Sequence, residues 1–297
     1  MGNKNSRPST SSNPHAPVSA QRRQLFKLGA AGLGLAAFPG AAFAQAKPEI
    51  RVGLQLYTLR DMMAKGVPGV LKLVATLGYK ELEFAGYFGH SPKEIRKIID
   101  GEGLSAPSSH VPLDLLRKGG INQLIETAQE VGHKYLIIPY LTEAQRGSTI
   151  DTYKKLAEEC NGWGEVCNSQ GLKLAYHNHY FDFQPVDGIE PYDVLLNEVD
   201  AKNMTMEMDL YWVIKAKKDP LSYFKHYPGR FKLWHIKDMD AQGQFADVGT
   251  GTIDFGAIFK ARKQAGAEHF FVERDQTDDP LQTIQQGYKA VSALLKR

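Results

Sequence analysis

Beyond its first fifty residues the chain repeats one pattern: a short apolar run, then a longer segment with apolar positions every three or four residues. Eight β-type runs recur, at 50–57, 79–84, 104–110, 134–140, 172–177, 203–209, 231–236 and 269–273. Segments of helical period follow them at 67–77, 92–102, 113–131, 149–170, 191–199, 220–227, 255–265 and 280–296. Gly78, Gly103, Gly132, Gly171 and Gly266 stand where helices should stop, at positions that want a residue tolerating positive φ. Such βα units, about 25–40 residues each, demand parallel strands and right-handed crossovers. Eight of them predict an α/β fold, a single-domain (β/α)8 TIM barrel. An open doubly wound sheet is the alternative, but no Gly-rich dinucleotide fingerprint follows the first run.

Alternation within the runs tells inside from outside, because successive strand side chains face opposite ways. In the second run Glu81 and Glu83 alternate with Lys80, Leu82 and Phe84. In the sixth, Thr205, Glu207 and Asp209 alternate with Met204, Met206 and Met208. The apolar set should face the helices and the acids the barrel interior.

Composition agrees: 297 residues, 42% hydrophobic and 23% charged, exclude a disordered chain, and two Cys exclude a disulfide scaffold. Cys160 and Cys167 lie one helical segment apart by about 10 Å along the axis, beyond the ~7 Å a disulfide allows, so both are expected free. The net charge of +3 is misleading. Residues 1–44 carry Lys4, Arg7, Arg22, Arg23 and Lys27 and no acid; without them 31 basic residues face 33 acidic ones, a balance of −2. That opposes nucleic acid as a partner, which wants a basic footprint.

Those first residues resemble a twin-arginine (Tat) export signal. Arg22-Arg23-Gln24-Leu25-Phe26-Lys27 precedes a Gly-rich apolar run, 28–43, and then Ala42-Phe43-Ala44. The order Leu-Phe reverses the usual Phe-Leu. Residues 1–46 are expected to be a signal peptide, cleaved after Ala44 or Ala46, and 47–297 the mature barrel, periplasmic and without stable membrane association. An uncleaved anchor helix is the alternative.

Active sites of this architecture sit at the C-terminal ends of the strands. Read in order, those ends give Tyr57, Glu83, His110, Tyr140, His177 with His179, Asp209, His235 with Lys237, and Glu273. Imidazoles and carboxylates at one mouth suit a divalent metal with N and O ligands, such as Mn, Zn, Co or Fe, better than Ca. The expected ligands are His177, Asp209, His235 and Glu273, with one ion, Mn first and Zn, Co, Fe or Mg open. Each has a plainer reading. Asp209 could cap the following turn, His235 could be a wall histidine, and Glu273 could pair with Arg274 or Lys237. His179 is expected just outside the ligand set. Lys237 either stabilises an oxyanion or pairs with Asp238 or Glu273. Tyr57, His179, Tyr211 and Trp212 are candidate substrate contacts; Tyr87, Phe88, Tyr180 and Phe181 are further aromatics that could wall a sugar site or serve as core lids.

The mature segment resembles the xylose isomerase-like TIM-barrel superfamily, also called the sugar phosphate isomerase/epimerase or AP endonuclease 2 family, and in particular its exported members. The segments that carry the likeness run one per strand. They include Gly53-Leu54-Gln55-Leu56-Tyr57-Thr58-Leu59-Arg60, Lys80-Glu81-Leu82-Glu83-Phe84-Ala85-Gly86 and Tyr176-His177-Asn178-His179. Met208-Asp209-Leu210-Tyr211-Trp212, His235-Ile236-Lys237-Asp238 and Phe271-Val272-Glu273-Arg274-Asp275 follow. The resemblance implies one divalent metal, often Mn, held in ketose epimerases by Glu, Asp, His and Glu from strands five to eight. Asp209, His235 and Glu273 match; His177 stands where those enzymes have the first Glu. Trp212 and Ala241 replace a His and an Arg of the same pattern. Two-carboxylate epimerisation is thereby reduced to one matched base, Glu273. Deprotonation next to a carbonyl, then reprotonation or loss of a leaving group, fits better, with Glu83, His110 or His179 as a second acid.

The expected activity is a metal-dependent sugar isomerase/epimerase-type proton abstraction. A periplasmic 3-keto-glycoside lyase or hydratase and a non-catalytic sugar-binding barrel are the alternatives. Gly249-Thr250-Gly251-Thr252 is the nearest thing to a phosphate cradle, but it precedes Ile253-Asp254-Phe255 and reads as a loop into a helix with Asp254 at its N-cap. The expected partner is therefore a free sugar, sugar acid, inositol or glycoside; oligomerisation is open.

Overall fold

A computed structural model describes residues 51–296. The signal segment and its boundary at residue 46 lie outside the described residues. Eight parallel strands run Gly53–Gln55, Glu81–Phe84, Ser105–His110, Tyr135–Ile138, Lys173–His177, Met204–Asp209, Leu233–Ile236 and His269–Val272. Each pairs with the next, and the first closes on the last through Gly53 opposite Phe271, so the sheet is a barrel. The open-sheet alternative falls on that closure.

The predicted alternation holds. Met204, Met206 and Met208 are buried. On the inner face, Tyr135, Ile137, Ala175, Leu233 and Phe271 form their own apolar cluster. By strand alternation this layer separates two polar ends. Below it the His269 imidazole meets Glu81 at 2.7 Å; above it lie Glu83, Glu207, Asp209 and His235. Each fully buried apolar side chain is worth about 1.5–3 kcal/mol, so the plug anchors the wall on which the site stands.

All five expected stops have positive φ. At Gly132, φ 93°, the N–H caps the helix Ile121–Val131 through Ala128 O at 2.8 Å. Two expected helices are each broken in two. The segment 113–131 becomes Leu113–Arg117 and Ile121–Val131, interrupted where Gly119 takes φ 81°. The segment 255–265 becomes Phe255–Lys260 and Arg262–Ala265. Cys160 and Cys167 are free and buried. No helix among the described residues is long and apolar enough to cross a membrane.

After the seventh strand, Asp238–Met239 and Phe245–Ala246 form a small antiparallel ribbon. The following Gly-Thr-Gly-Thr loop gives its amides to this chain's own carboxylate: Gly249 and Gly251 N–H both reach Asp238 Oδ2 at 2.9 Å. Asp254 caps Phe255–Lys260 by accepting from Ala257 N at 3.0 Å.

Candidate active site

Strand register brings the candidate side chains level. His177 is opposite Glu207, and Asp209 is opposite His235. Two groups of potential ligand atoms result, each within 4.8 Å: His177, Asp209, His235 and Glu273 above, and Glu83, His110, Glu207 and His235 below. His235 belongs to both.

The lower group orients the upper one. Glu83 is wholly buried and accepts from Gln55 Nε2 and Ser108 Oγ, both at 2.6 Å. His235 Nε2 lies 2.7 Å from Glu83 Oε1 and 3.3 Å from Glu207 Oε2. Carboxylates only accept, so Nε2 carries a proton and Nδ1 faces the upper group. There Nδ1 stands 2.7 Å from Glu273 Oε2. Both atoms are buried; Glu273 Oε2 also meets Lys237 Nζ at 2.8 Å, whereas His235 Nδ1 has no hydrogen-bond partner among the described residues. His177 Nδ1 donates to Pro139 O at 3.0 Å, which turns Nε2 toward Asp209 Oδ2 at 3.3 Å. Buried lone pairs converging on one point are what a bound cation satisfies, and two imidazoles with two carboxylates, all within 4.8 Å, suit Mn, Fe, Co or Zn. The residues fit a divalent ion.

The plainer readings resolve individually. Asp209 also caps the turn: Oδ1 accepts from Trp212 N at 3.2 Å while Oδ2 stays with the ligand group. Asn178 clips the backbone of Asp209 at both ends, Nδ2 to its carbonyl at 3.2 Å and Oδ1 from its N–H at 3.0 Å. Lys237 Nζ is buried between Asp209 Oδ2 at 2.9 Å, Glu273 Oε2 at 2.8 Å and Asp275 Oδ1 at 2.9 Å. Asp238 is turned away to the loop amides. Arg274 pairs with Asp247 at 2.6 Å, not with Glu273.

This packing sets the charges. Burial alone would raise Glu273, but Lys237 and then His235 outweigh it and hold the carboxyl well below its usual range. Glu83 is likewise lowered against burial, by His110 and His235. Asp209 is held down to about 2 against burial, chiefly by Lys237. His110 is raised to about 9 against burial, first by Glu83 and then by Glu207, whose Oε2 lies 3.0 Å from its Nε2. His179 is kept neutral by burial and by the nearby His177 and Lys237.

A cavity of about 740 Å³ opens above the group. His110, His177, Lys237, Glu273 and Asp275 line it, together with Tyr57, His179 and Trp212. Glu83, Asp209 and His235 lie beneath its surface. Tyr211 is not on the wall: its hydroxyl donates to Gly243 O at 2.9 Å and accepts from Lys215 Nζ at 2.7 Å. Sequence reasoning did not single out Gln55, Asn178, Glu207 or Asp275 as site residues. Parity signals Glu207, two residues before Asp209, and Asp275, two beyond Glu273; nothing local marks the other two.

The comparisons agree with this architecture. An inosose dehydratase of Geobacillus thermodenitrificans is 22% identical over 245 residues, 69% of this chain and 80% of that protein. A sugar phosphate isomerase/epimerase from Parabacteroides distasonis superposes with a TM-score of 0.73 at 25% identity, covering 85% of this chain and 96% of that one. The IolI protein, solved with a bound zinc atom, superposes with a TM-score of 0.67 at 17% identity, over 83% of this chain and 98% of its own, and shows the shared fold. Residues 71–295 match the model of the xylose isomerase-like TIM barrel, and the chain belongs to that family.

Proposed function

We propose that this barrel is a divalent-metal-dependent enzyme that removes the proton next to the carbonyl of a sugar derivative and expels the β-oxygen, a dehydratase or lyase course. The observation that carries it is the single accessible carboxylate of the ligand set. Glu273 lines the cavity, Asp209 is wholly buried, and the fourth place is an imidazole, His177. A second base for inversion at the same carbon is lacking in that set. The kinship with proteins named inosose dehydratase supports elimination.

A divalent ion, Mn in this proposal, held by His177, Asp209, His235 and Glu273 would supply positive charge for the oxygen on which an enolate develops. Glu273, kept ionised by Lys237, takes the α-proton. Lys237 lines the cavity as a permanent cation, and its charge, held there by three carboxylates, favours the oxygen gaining charge. The C–H electron pair becomes the new C=C bond, and the C–O pair leaves with the β-oxygen. His110, protonated above Glu83 and Glu207 and open to the cavity, supplies that oxygen's proton. Glu83 acts through His110 and His235 without touching substrate. Water or an alcohol departs, and no oxidant is needed. The setting proposed is the periplasm, reached by the twin-arginine route.

Metal-loaded protein in heavy water with a panel of keto-sugars, keto-inositols and 3-keto-glycosides tests this. One carbon should take up deuterium or a leaving group should depart. Glu273→Gln should slow this by a factor of about 10² to 10⁴ with metal retained. Efficient epimerisation, or undiminished activity in Glu273→Gln, refutes the proposal.

A further inference from the structure

Seven large hydrophobic side chains are exposed among the described residues, and three of them line one cavity: Tyr57 at 43%, Tyr140 at 45% and Tyr180 at 41%. They come from the loops after the first, fourth and fifth strands. Single exposed apolar residues are ordinary, but a cluster converging from separate loops marks a binding surface. Phe181 joins them on the wall.

The rings are set from their surroundings. The Arg60 guanidinium lies 4.4 Å from the Tyr57 ring centre and donates to Tyr57 O at 2.9 Å. Arg146 lies 4.3 Å from the centre of Phe181. Tyr140 meets His179 and Phe181 edge-on, at 5.0 and 5.4 Å between centres. None of the three exposed tyrosine hydroxyls has a hydrogen-bond partner among the described residues. The cavity therefore has an ionic floor, around Glu273 and Lys237, and an aromatic mouth. At about 740 Å³ it lies in the range that takes a drug-sized ligand, more than one sugar ring fills.

We infer that the mouth is a second subsite that takes a planar apolar ring carried by the substrate, so that the enzyme acts on aryl glycosides. The inference rests on the proposed sugar chemistry at the floor. A second sugar ring is the poorer occupant. Its several hydroxyls would each need a partner on leaving water, and beyond the three tyrosine hydroxyls the mouth offers mainly Pro112, Pro139 and aromatic faces.

Calorimetric titration of metal-loaded protein with phenyl β-D-glucoside, methyl β-D-glucoside and cellobiose decides the matter. These lack the keto group and report binding alone. The phenyl glucoside should bind about tenfold tighter than the methyl glucoside, with cellobiose near the latter. The double variant Tyr140→Ala, Tyr180→Ala should lose the phenyl preference while leaving the methyl glucoside within about twofold. Both positions are exposed, and near-ultraviolet circular dichroism and metal content check that the variant is intact. Three results would overturn the inference: phenyl and methyl glucosides binding alike or not at all, cellobiose binding as tightly as the phenyl glucoside, or the variant keeping the preference. The heavy-water assay reads Glu273 independently. A phenyl preference without proton exchange sinks the proposed reaction alone, and exchange without the preference sinks the subsite alone.

Discussion

Asp182 offers a measurement in which one buried carboxyl can be isolated. It lies wholly buried in the turn Tyr180–Phe183, which carries two aromatics of the cavity mouth. Its Oδ2 accepts from His179 N at 2.7 Å and its Oδ1 from Tyr176 Oη at 2.8 Å. Burial pushes its pKa up to about 7, although both bonds and Arg146 pull it down. In the unfolded chain an Asp titrates near 3.9, as a rough reference. Between those values the native state holds a proton that the unfolded chain has lost. The native state then binds more protons, so stability falls as pH rises through this window and levels off above about 7. A separation of about three pH units is worth about 4 kcal/mol. Asp182→Asn cannot ionise, yet keeps an acceptor for the His179 N–H. Near pH ~4 the two proteins should agree within about 1 kcal/mol. Above pH ~8 the variant should be the more stable by about 3–4 kcal/mol. Urea unfolding of both proteins in chelator, at several pH values, gives this difference directly. Other titrations are shared and cancel. His133 is one of them, lowered by burial to about 4, so its own contribution has the opposite sign, rising between its folded and unfolded values. A difference that does not change with pH, or a variant that weakens as pH rises, would refute the reasoning.

Two further predictions concern the metal and the address. Asp209→Ala should bring the metal measured by elemental analysis near zero in a protein that still folds, with loss of the Trp212 cap costing about 1 kcal/mol; unchanged metal content removes the ligand set. Replacing Arg22 and Arg23 with Lys should leave uncleaved precursor in the cytoplasm, and normal periplasmic delivery would mean another route or no Tat signal.

What the sequence made legible was whatever repeats. Methionines alternating with acids on the sixth strand fixed its two faces, and five Gly stops marked where the helices before them ended. Interruptions were hidden because periodicity survives them: 113–131 keeps its apolar spacing across the break at Gly119. Long-range hydrogen bonds were hidden because they depend on register. Gln55 meets its register partner Glu83 on the neighbouring strand, and Asn178 holds a backbone 31 residues away. Lys237 shares the parity of His235, and Glu273 was one of two acids offered as its partner, but Asp209 and Asp275 could be found only in the closed barrel. Tyr211 illustrates a different limit. Asp209 caps the helix Leu210–Lys215, so strand alternation ends at Asp209. Adjacent residues then diverge around a helix, sending Trp212 to the cavity and Tyr211 to Gly243 and Lys215.

In the proposed ligand set, His177 in place of a carboxylate bears on the kind of reaction the site can support. Compared with the Glu, Asp, His, Glu set that the resemblance to ketose epimerases implies, an imidazole at the first place of the proposed set brings one negative charge fewer. Less of a divalent ion's charge would be neutralised by its ligands, leaving more for a substrate oxygen. The same exchange removes a base, since a ligating imidazole has committed its lone pair. Lys237 presses in the same direction, because its ammonium lies against both carboxylates of the set. It lowers the basicity of Glu273 while adding a second positive group for the oxygen. A ligand set with a strengthened electrophile and one weakened base favours a proton already acidified by an adjacent carbonyl. It does poorly at returning that proton to the opposite face. Expulsion of a β-oxygen needs no second face, only a proton donor in reach, and His110 stands protonated at the edge of the same cavity.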